Sequence, residues 1–361
     1  MKVLVCGSCM PTEFEYRIKD LAAASNQYHL NMIHALENYV EVKVLSYIGM
    51  NLNGVPEREI AEVCADNHIT CIFKQGNPIR AYVKYQHEMK KMINWADVII
   101  TYNVQFVWFG VGRLAKRKKK KSVLVWADHT PVSDKKNVIG KIYSLLSEYN
   151  AKQYHKVVAL SPNMRRYLLP KQEYVVSHGC VDWNQFESFK YKKPTKPLTF
   201  MFSGLLAPVT GADLLLGAIK KIRRDDVRVV VTGKGPLENQ FRSIKDDRVD
   251  YKGFVSREEY RLLLDNADVL LNPRNMNMAE NQNNFPSKVL EYLATGKPII
   301  STRFSGWNEY KDCCQYIDST VEALVSAIEN FQYGAISLDA FTSNRDKAKE
   351  HLWTKEIRKF I

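Results

Sequence analysis

The chain has 361 residues, 45% of them apolar and 25% charged, with a formal net charge of +13. That make-up belongs to a folded globular protein and excludes a disordered or fibrous chain, and the length suits two domains of ordinary size. The excess of 52 basic over 39 acidic residues points to anionic partners, among them a nucleotide, an acidic membrane face or nucleic acid.

The opening MKVLVCG is too short an apolar run for a signal peptide and reads as a first strand. No run approaches the roughly 18 apolar residues of a membrane span, so the expected location is the cytoplasm. Short apolar runs follow at 42–46, 70–73, 97–101, 122–126, 156–160 and 174–177, separated by amphipathic stretches such as 27–38 and 80–95. Strands buried on both faces read as continuous apolar runs, so residues 1–187 are expected to form βα units around a mainly parallel sheet. Cys6-Gly-Ser-Cys9 has CxxC spacing, but the seven scattered cysteines supply no second pair of that spacing. A zinc ribbon would need that second pair, and an odd number argues against a disulfide framework.

The densest charge lies at Arg113-Leu-Ala-Lys116-Arg117-Lys118-Lys119-Lys120-Lys121. It reads either as a solvated helix end or as a patch adhering to anionic lipid, at on the order of 1 kcal/mol per basic residue. Nucleic acid fits less well, because no aromatic residues interleave the lysines. At 188–197, SFKYKKPTKP breaks all periodicity and is expected to be an interdomain linker. The alternation then resumes with LTFMFSG, VRVVVTGKG, VDYKG, DVLLNPR and PIIST, which predicts a second doubly wound domain over 198–335. An amphipathic segment, 336–361, carries Trp353 and is expected to pack back on the first domain.

Ligands of open parallel sheets bind beyond the carboxyl ends of the strands. Ser203-Gly204, Thr232-Gly233-Lys234-Gly235-Pro236 and the loop 272–287 occupy such places. In NFPSKVLEYLATGKPII (284–300), Pro286 suits a first helical position and Gly296 suits the residue past a helix end. A helix start offers N–H groups and a positive dipole end to a phosphate, and Ser287 and Lys288 add a hydroxyl and a charge there. Glu291 shares their face about 6 Å further along, where a carboxylate could accept two hydrogen bonds from a ribose diol. The alternative is a Lys288–Glu291 surface ion pair worth well under about 1 kcal/mol.

These segments, with YKGFVSREEYRLLLDNADVLLNPR and FPSKVLEYLATGKPIIST, resemble the nucleotide-sugar half of GT-B glycosyltransferases, specifically the retaining enzymes of family 4. ADVIITYNVQFVWFGVGRLAKRKKKKSVLVWADHTP, YHKVVALSPNMRRYLL and VVSHGCVDWNQF are similar to that family's acceptor domain, so the resemblance covers nearly the whole chain. It implies an α/β GT-B fold with two Rossmann-like domains facing a cleft, and transfer of a sugar from a nucleoside diphosphate donor with retention and without a metal ion or other cofactor. Basic residues and a helix N-terminus would then neutralise the leaving diphosphate. Glu291 matches the second glutamate of the family's E-x7-E motif, the one that holds the ribose, and the place of the first is taken by Asn283.

After Gly204, Leu205 and Thr210 stand where the family carries an arginine and a lysine on the diphosphate, which leaves Arg274 and Lys288 as substitutes. Asp128 aligns with the second member of a His-Asp pair, as a ligand for sugar hydroxyls, and His129 falls one place late. Asn26 stands in a loop where the family has paired glycines near the donor phosphate. The implied partners are a nucleotide sugar, a lipid-linked glycan acceptor in cell-surface polysaccharide synthesis, and an anionic membrane surface at its cytoplasmic face. Alternatives within the fold are an epimerase, a phosphorylase or a sugar-nucleotide-binding protein with weakened catalysis. A nicotinamide-dependent oxidoreductase is disfavoured, because no GxGxxG follows any strand.

Overall fold

The protein is described from a computed structural model, which covers residues 1–361 apart from Tyr16, Lys19, Gln75, Lys136 and the side chains of Ala23 and Asp134. It divides into two compact units, Met1–Cys180 with Trp353–Ile361, and Val181–Leu352. Residues 188–197, the expected linker, fall inside the second unit, where the Tyr191 hydroxyl donates to Ile336 O at 3.2 Å. The expected terminal segment is shared: Leu338–Lys349 belongs to the second unit and Trp353–Ile361 to the first.

The first unit holds a seven-stranded parallel sheet. Its strands are β1 (Lys2–Gly7), β2 (Glu41–Ile48), β3 (Ile69–Phe73), β4 (Val98–Tyr102), β5 (Lys121–Trp126), β6 (Lys156–Ala159) and β7 (Glu173–Val176), in the order 3-2-1-4-5-6-7. Every predicted apolar run of this half became a strand, because Val3–Cys6, Val98–Tyr102 and Ser122–Trp126 are buried from end to end. The covering helices are α1 (Ala23–Glu37), α2 (Glu57–Asp66), α3 (Pro78–Trp95), α4 (Val111–Arg117) and α5 (Val138–Ala151). Helix α3 starts cleanly, with Asn77 Oδ1 accepting from the N–H groups of Ile79 and Arg80 and Pro78 in its first turn. Cys6 and Cys9 are buried, and burial pushes both thiols up to about 12, away from the thiolate that metal or redox chemistry needs.

The second unit holds a six-stranded parallel sheet in the order 10-9-8-11-12-13. Its strands are β8 (Leu198–Ser203), β9 (Val227–Thr232), β10 (Val249–Gly253), β11 (Val269–Asn272), β12 (Ile299–Thr302) and β13 (Gln315–Ile317). Helices α6 (Ala212–Ile219), α7 (Glu238–Arg242), α8 (Arg257–Asn266), α9 (Ala279–Asn283), α10 (Lys288–Thr295), α11 (Val321–Glu329) and α12 (Leu338–Lys349) complete it. A last short helix, α13 (Trp353–Glu356), belongs to the first unit, where Ser177 Oγ donates to Glu356 and Trp353 meets Tyr28 edge-on with ring centroids 5.2 Å apart. A core of Phe200, Phe202, Leu215, Val229, Val231, Leu271 and Ile328 lies against the second sheet.

In each sheet the strand order reverses once, between β1 and β4 and between β8 and β11. Neighbouring loops part at such a reversal and leave a crevice at the carboxyl ends of the strands, which is where open parallel sheets ordinarily take a ligand. Among the described residues, no helix is long and apolar enough to cross a membrane.

Candidate functional site

At the reversal of the second sheet the chain leaves β8 at Ser203 and turns at Gly204, with φ +147°. Gly204 N–H donates to Thr232 O at 3.1 Å and Gly233 N–H to Gly253 O at 2.8 Å, so the ends of β8, β9 and β10 are zipped together. Gly233, at φ +142°, has no room for a side chain: an added Cβ would lie 1.8 Å from Gly204 O. Thr210, in place of an expected cation, closes this loop by donating to Leu205 O at 2.5 Å and Ala207 O at 2.7 Å.

Helix α10 is positioned from its far end. Gly296, with φ +77°, terminates it; Arg345 Nη1 donates to Ala294 O at 2.9 Å and Asn344 Nδ2 to Lys297 O at 3.0 Å. The helix starts two residues after the predicted opening, at Lys288, with Ser287 as the N-cap and Val289 N–H donating to Pro286 O at 2.9 Å. Val289, Leu290, Tyr292 and Leu293 are buried, which fixes the rotation of the helix and turns Lys288 and Glu291 outward with side chains 34% and 41% exposed. The helix therefore presents its start, one ammonium and one carboxylate on a single accessible stripe.

Two tyrosines that sequence reasoning missed organise this stripe. The hydroxyl of Tyr260, from α8, donates to Glu291 Oε2 at 3.1 Å and accepts from Lys288 Nζ at 3.0 Å, while the lysine sits 4.5 Å from the Tyr260 ring centre. Tyr292 O–H and Ser203 Oγ share a hydrogen bond of 2.8 Å behind them. Burial first, and then the charge of Glu291, pushes Tyr260 well above the ordinary phenol value, so the hydroxyl keeps its proton and remains a donor to the carboxylate. The Lys288–Glu291 contact of 3.7 Å foreseen as the alternative reading is present too; at this exposure it is worth under about 1 kcal/mol and leaves Glu291 open to a ligand.

The other sites predicted in this unit fare differently. Arg274 follows β11, and its carbonyl accepts from Thr302 Oγ1 and Ser319 Oγ at 3.0 Å each. Asn283 ends α9 fully buried, so contact with a donor would require it to be uncovered. Its neighbour Asn281 secures the loop after β11, donating to Val209 O at 2.7 Å and Asn275 O at 2.8 Å.

In the first unit, Asp128 is exposed just beyond β5. Its position is set by Asn103, a non-glycine residue at φ +53° after β4, whose Oδ1 accepts from Ala127 N–H at 2.8 Å and Asp128 N–H at 3.1 Å. A single side chain thus joins the loops after β4 and β5, and a residue held at positive φ is a frequent mark of a functional loop. His129 turns inward against Trp126 and Tyr167, with Nε2 3.1 Å from Glu148 Oε1. Burial, helped by Lys135 and Arg166, pushes the imidazole down to about 4, and burial raises Glu148; at neutral pH the contact is a hydrogen bond from a neutral ring.

Asn26 lies in the first turn of α1 and not in a loop, and it is buried, because its side chain is consumed in closing the loop after β1: Oδ1 accepts from Met10 N–H at 2.9 Å, and Nδ2 donates to Met10 O at 3.0 Å and Glu15 Oε1 at 2.9 Å. The basic run is exposed at Lys116–Lys119 and Lys121, at the amino end of β5, opposite the end that carries Asp128.

A second buried imidazole, His29, packs on Tyr102 with ring centres 4.1 Å apart and is also pushed down to about 4 by burial. An unfolded histidine titrates near 6.5. Between pH 6.5 and 4 the unfolded chain therefore takes up protons that the folded chain refuses; stability is complete above pH 6.5 and is lost as the pH falls toward 4. The two shifts together are worth on the order of 5 kcal/mol. Urea midpoints should drop steeply from pH 7 to pH 4.5 and depend less on pH when both histidines are replaced by Gln; equal midpoints at the two pH values would contradict buried neutral rings.

The family model "Glycosyl transferases group 1" matches residues 197–331, the part that contains β8 through α11. A protein of Escherichia coli (strain K12) named "Putative colanic acid biosynthesis glycosyltransferase WcaL" is 28% identical over 144 residues, 38% of this chain and 36% of that protein. The match thus spans about a third of the relative's length.

Among solved structures, Anabaena Alr3699/HepE in complex with UDP superposes with a TM-score of 0.69 at 13% identity, covering 99% of this chain and 98% of that one. The lipopolysaccharide outer core galactosyltransferase WaaB, in its apo form, superposes with a TM-score of 0.64 at 15% identity, over 100% of this chain and 98% of that one. The fold is GT-B, as the resemblance implied, with two Rossmann-like α/β units.

Proposed function

We propose that this chain is a retaining glycosyltransferase of family 4 that moves a sugar from a nucleoside diphosphate sugar to a lipid-linked glycan in cell-surface polysaccharide assembly. The observation that carries this reading is the accessible Lys288–Glu291 stripe at the start of α10, beside the glycine turns at the carboxyl ends of β8 and β9. Ser287, Lys288, Arg274 and the start of α10 take the diphosphate, Glu291 takes the ribose diol, and Gly204 and Gly233 let the backbone approach the phosphates.

Cationic side chains and helix N–H groups stabilise the charge that develops on the leaving diphosphate, so the reading needs no metal ion. In the first unit Asp128 binds sugar hydroxyls of the donor or acceptor, and the enzyme works at the cytoplasmic face of the membrane with the run 113–121 toward anionic lipid. The names of WcaL, for colanic acid biosynthesis, and WaaB, for the lipopolysaccharide outer core, support the cell-surface polysaccharide part of this reading, and the UDP held by the Anabaena neighbour makes UDP-sugars the first donors to try.

The test is transfer from a panel of UDP-, GDP-, ADP- and dTDP-sugars to lipid-linked acceptors in the presence of EDTA, with the new anomeric centre read by NMR. One donor should give a product of the donor's own anomeric configuration at an undiminished rate. Inversion, or loss of activity in EDTA, would contradict the retaining, metal-independent part; interconversion of the donor sugar without any acceptor would identify an epimerase instead.

A further inference from the structure

Helix α5 is built inside out. Its inward positions are Ser144, Ser147, Asn150 and Ala151, all buried. Ser144 Oγ donates to Thr130 O at 2.9 Å, and Asn150 Oδ1 accepts from Gly110 N–H at 2.9 Å, so polar groups dock the helix on its unit. Its outward positions are Val138, Ile139, Ile142, Leu145, Leu146 and Tyr149, with Ile139 81% and Val138 71% exposed. Surface helices ordinarily carry the opposite arrangement. The apolar surface continues beyond the helix: Tyr143 stacks on Phe109 at 6.0 Å, and Phe109 meets Phe106, itself 63% exposed, at 5.8 Å. Contiguous exposed apolar surface of this kind marks an interaction site.

The charges around the face select the partner. Lys141 is exposed on α5, Lys152 caps its end, and the Arg113 guanidinium lies 5.6 Å from the Tyr149 ring centre. Glu148, the one acid in the helix, turns inward to His129 with a side chain only 17% exposed. A second copy docked through a two-fold axis would set the same basic residues opposite one another, with no outward carboxylate on the helix to pair them. An anionic bilayer meets both features, taking the apolar side chains below its headgroups and the lysines and arginine among its phosphates.

We infer that the outward face of α5, with Phe106, inserts into the interface of an anionic lipid bilayer and is the principal membrane contact of the first unit. The inference rests on the membrane association proposed above but not on the donor chemistry.

The test is flotation of the full chain with vesicles of phosphatidylcholine containing phosphatidylglycerol. The combined change Ile139→Ser, Ile142→Ser and Leu146→Ser should lower partition by roughly a hundredfold, since each apolar side chain removed from the interface counts for several-fold or more. Nucleotide binding measured without vesicles should stay at the native level, which separates this inference from the proposed function. Lys118→Gln through Lys121→Gln together should lower partition as well but leave measurable flotation. If instead these lysine changes abolish flotation while the serine variant floats like the native chain, the inference is overturned.

It is overturned as well by equal flotation on phosphatidylcholine alone. Light scattering that shows a native dimer turned into a monomer by the serine changes would assign the face to a second copy and overturn it too. A folded-state check comes from Ile139→Trp, whose added fluorescence should be quenched by brominated acyl chains; no quenching beyond that of the native chain counts against insertion.

Discussion

Replacing Glu291 by Ala should lower kcat/KM for the nucleotide sugar by roughly 30- to 1000-fold, the equivalent of about 2–4 kcal/mol for two hydrogen bonds to a charged acceptor. The carboxylate is 41% exposed and is not part of the core, so the melting temperature should move by only a degree or two. Because the ribose is held equally in the ground and transition states, most of the loss should appear in KM and in the dissociation constant of the free diphosphate. Glu291→Gln keeps one acceptor and should fall between Ala and the native protein.

Tyr260→Phe should lose about tenfold, because the phenol orients both Lys288 and Glu291 without touching the donor. Steady-state kinetics with calorimetry on the diphosphate checks all three. An Ala variant that turns over at the native rate would remove Glu291 from the site.

Gly233→Ala should cost about 3–5 kcal/mol, or on the order of 10 °C in melting temperature for a unit of this size. Two effects add. The backbone at φ +142° belongs to a region open in practice only to glycine, and the new methyl would meet the carbonyl oxygen of Gly204 at 1.8 Å. Neither group is a flexible side chain, so relief comes only from parting the ends of β8 and β9 and moving the Gly204 turn. Nucleotide affinity should therefore fall with stability. Gly54→Ala is the control: its φ is also positive, at +85°, but an added Cβ meets nothing within 4 Å, so only the conformational cost of about 1–2 kcal/mol remains. Scanning calorimetry separates the two; similar shifts would mean that the glycine contact at β8 and β9 is looser than described.

These residues also show what is legible in sequence. Buried parallel strands must be apolar on both faces, so runs such as VLV at 3–5 and VIIT at 98–101 revealed the sheets almost to the residue. The amphipathic pattern that begins at 27 misses the start of α1 at Ala23, because Ala22 caps it without any side-chain hydrogen bond and leaves no signature. That Ser287, Lys288 and Glu291 share one stripe is legible because helical spacing of three and four is local information.

Tyr260 could not be found: it lies 31 residues from Glu291, and only the packing of α8 beside α10 brings its hydroxyl there. Asn103 was hidden for the same reason, since nothing in TYNVQ shows a positive φ or its hydrogen bonds to Ala127 and Asp128, 24 and 25 residues on. The composition of α5 reads as an ordinary amphipathic helix, and which of its faces turns inward is decided by the partners of Ser144 and Asn150. The basic prolyl stretch 188–197 announces a break in periodicity but not the unit to which it belongs.

The central claim is that Glu291 holds the ribose of a nucleoside diphosphate. It is tested most directly by titrating the native chain and Glu291→Ala with the preferred ribonucleoside diphosphate and with its 2′,3′-dideoxy analogue. If the claim is right, the native chain loses at least tenfold in affinity for the dideoxy compound while the Ala variant binds both compounds alike, because the pair of changes removes one shared interaction. Equal losses in the two proteins, or no binding of any nucleoside diphosphate to the native chain, would contradict it.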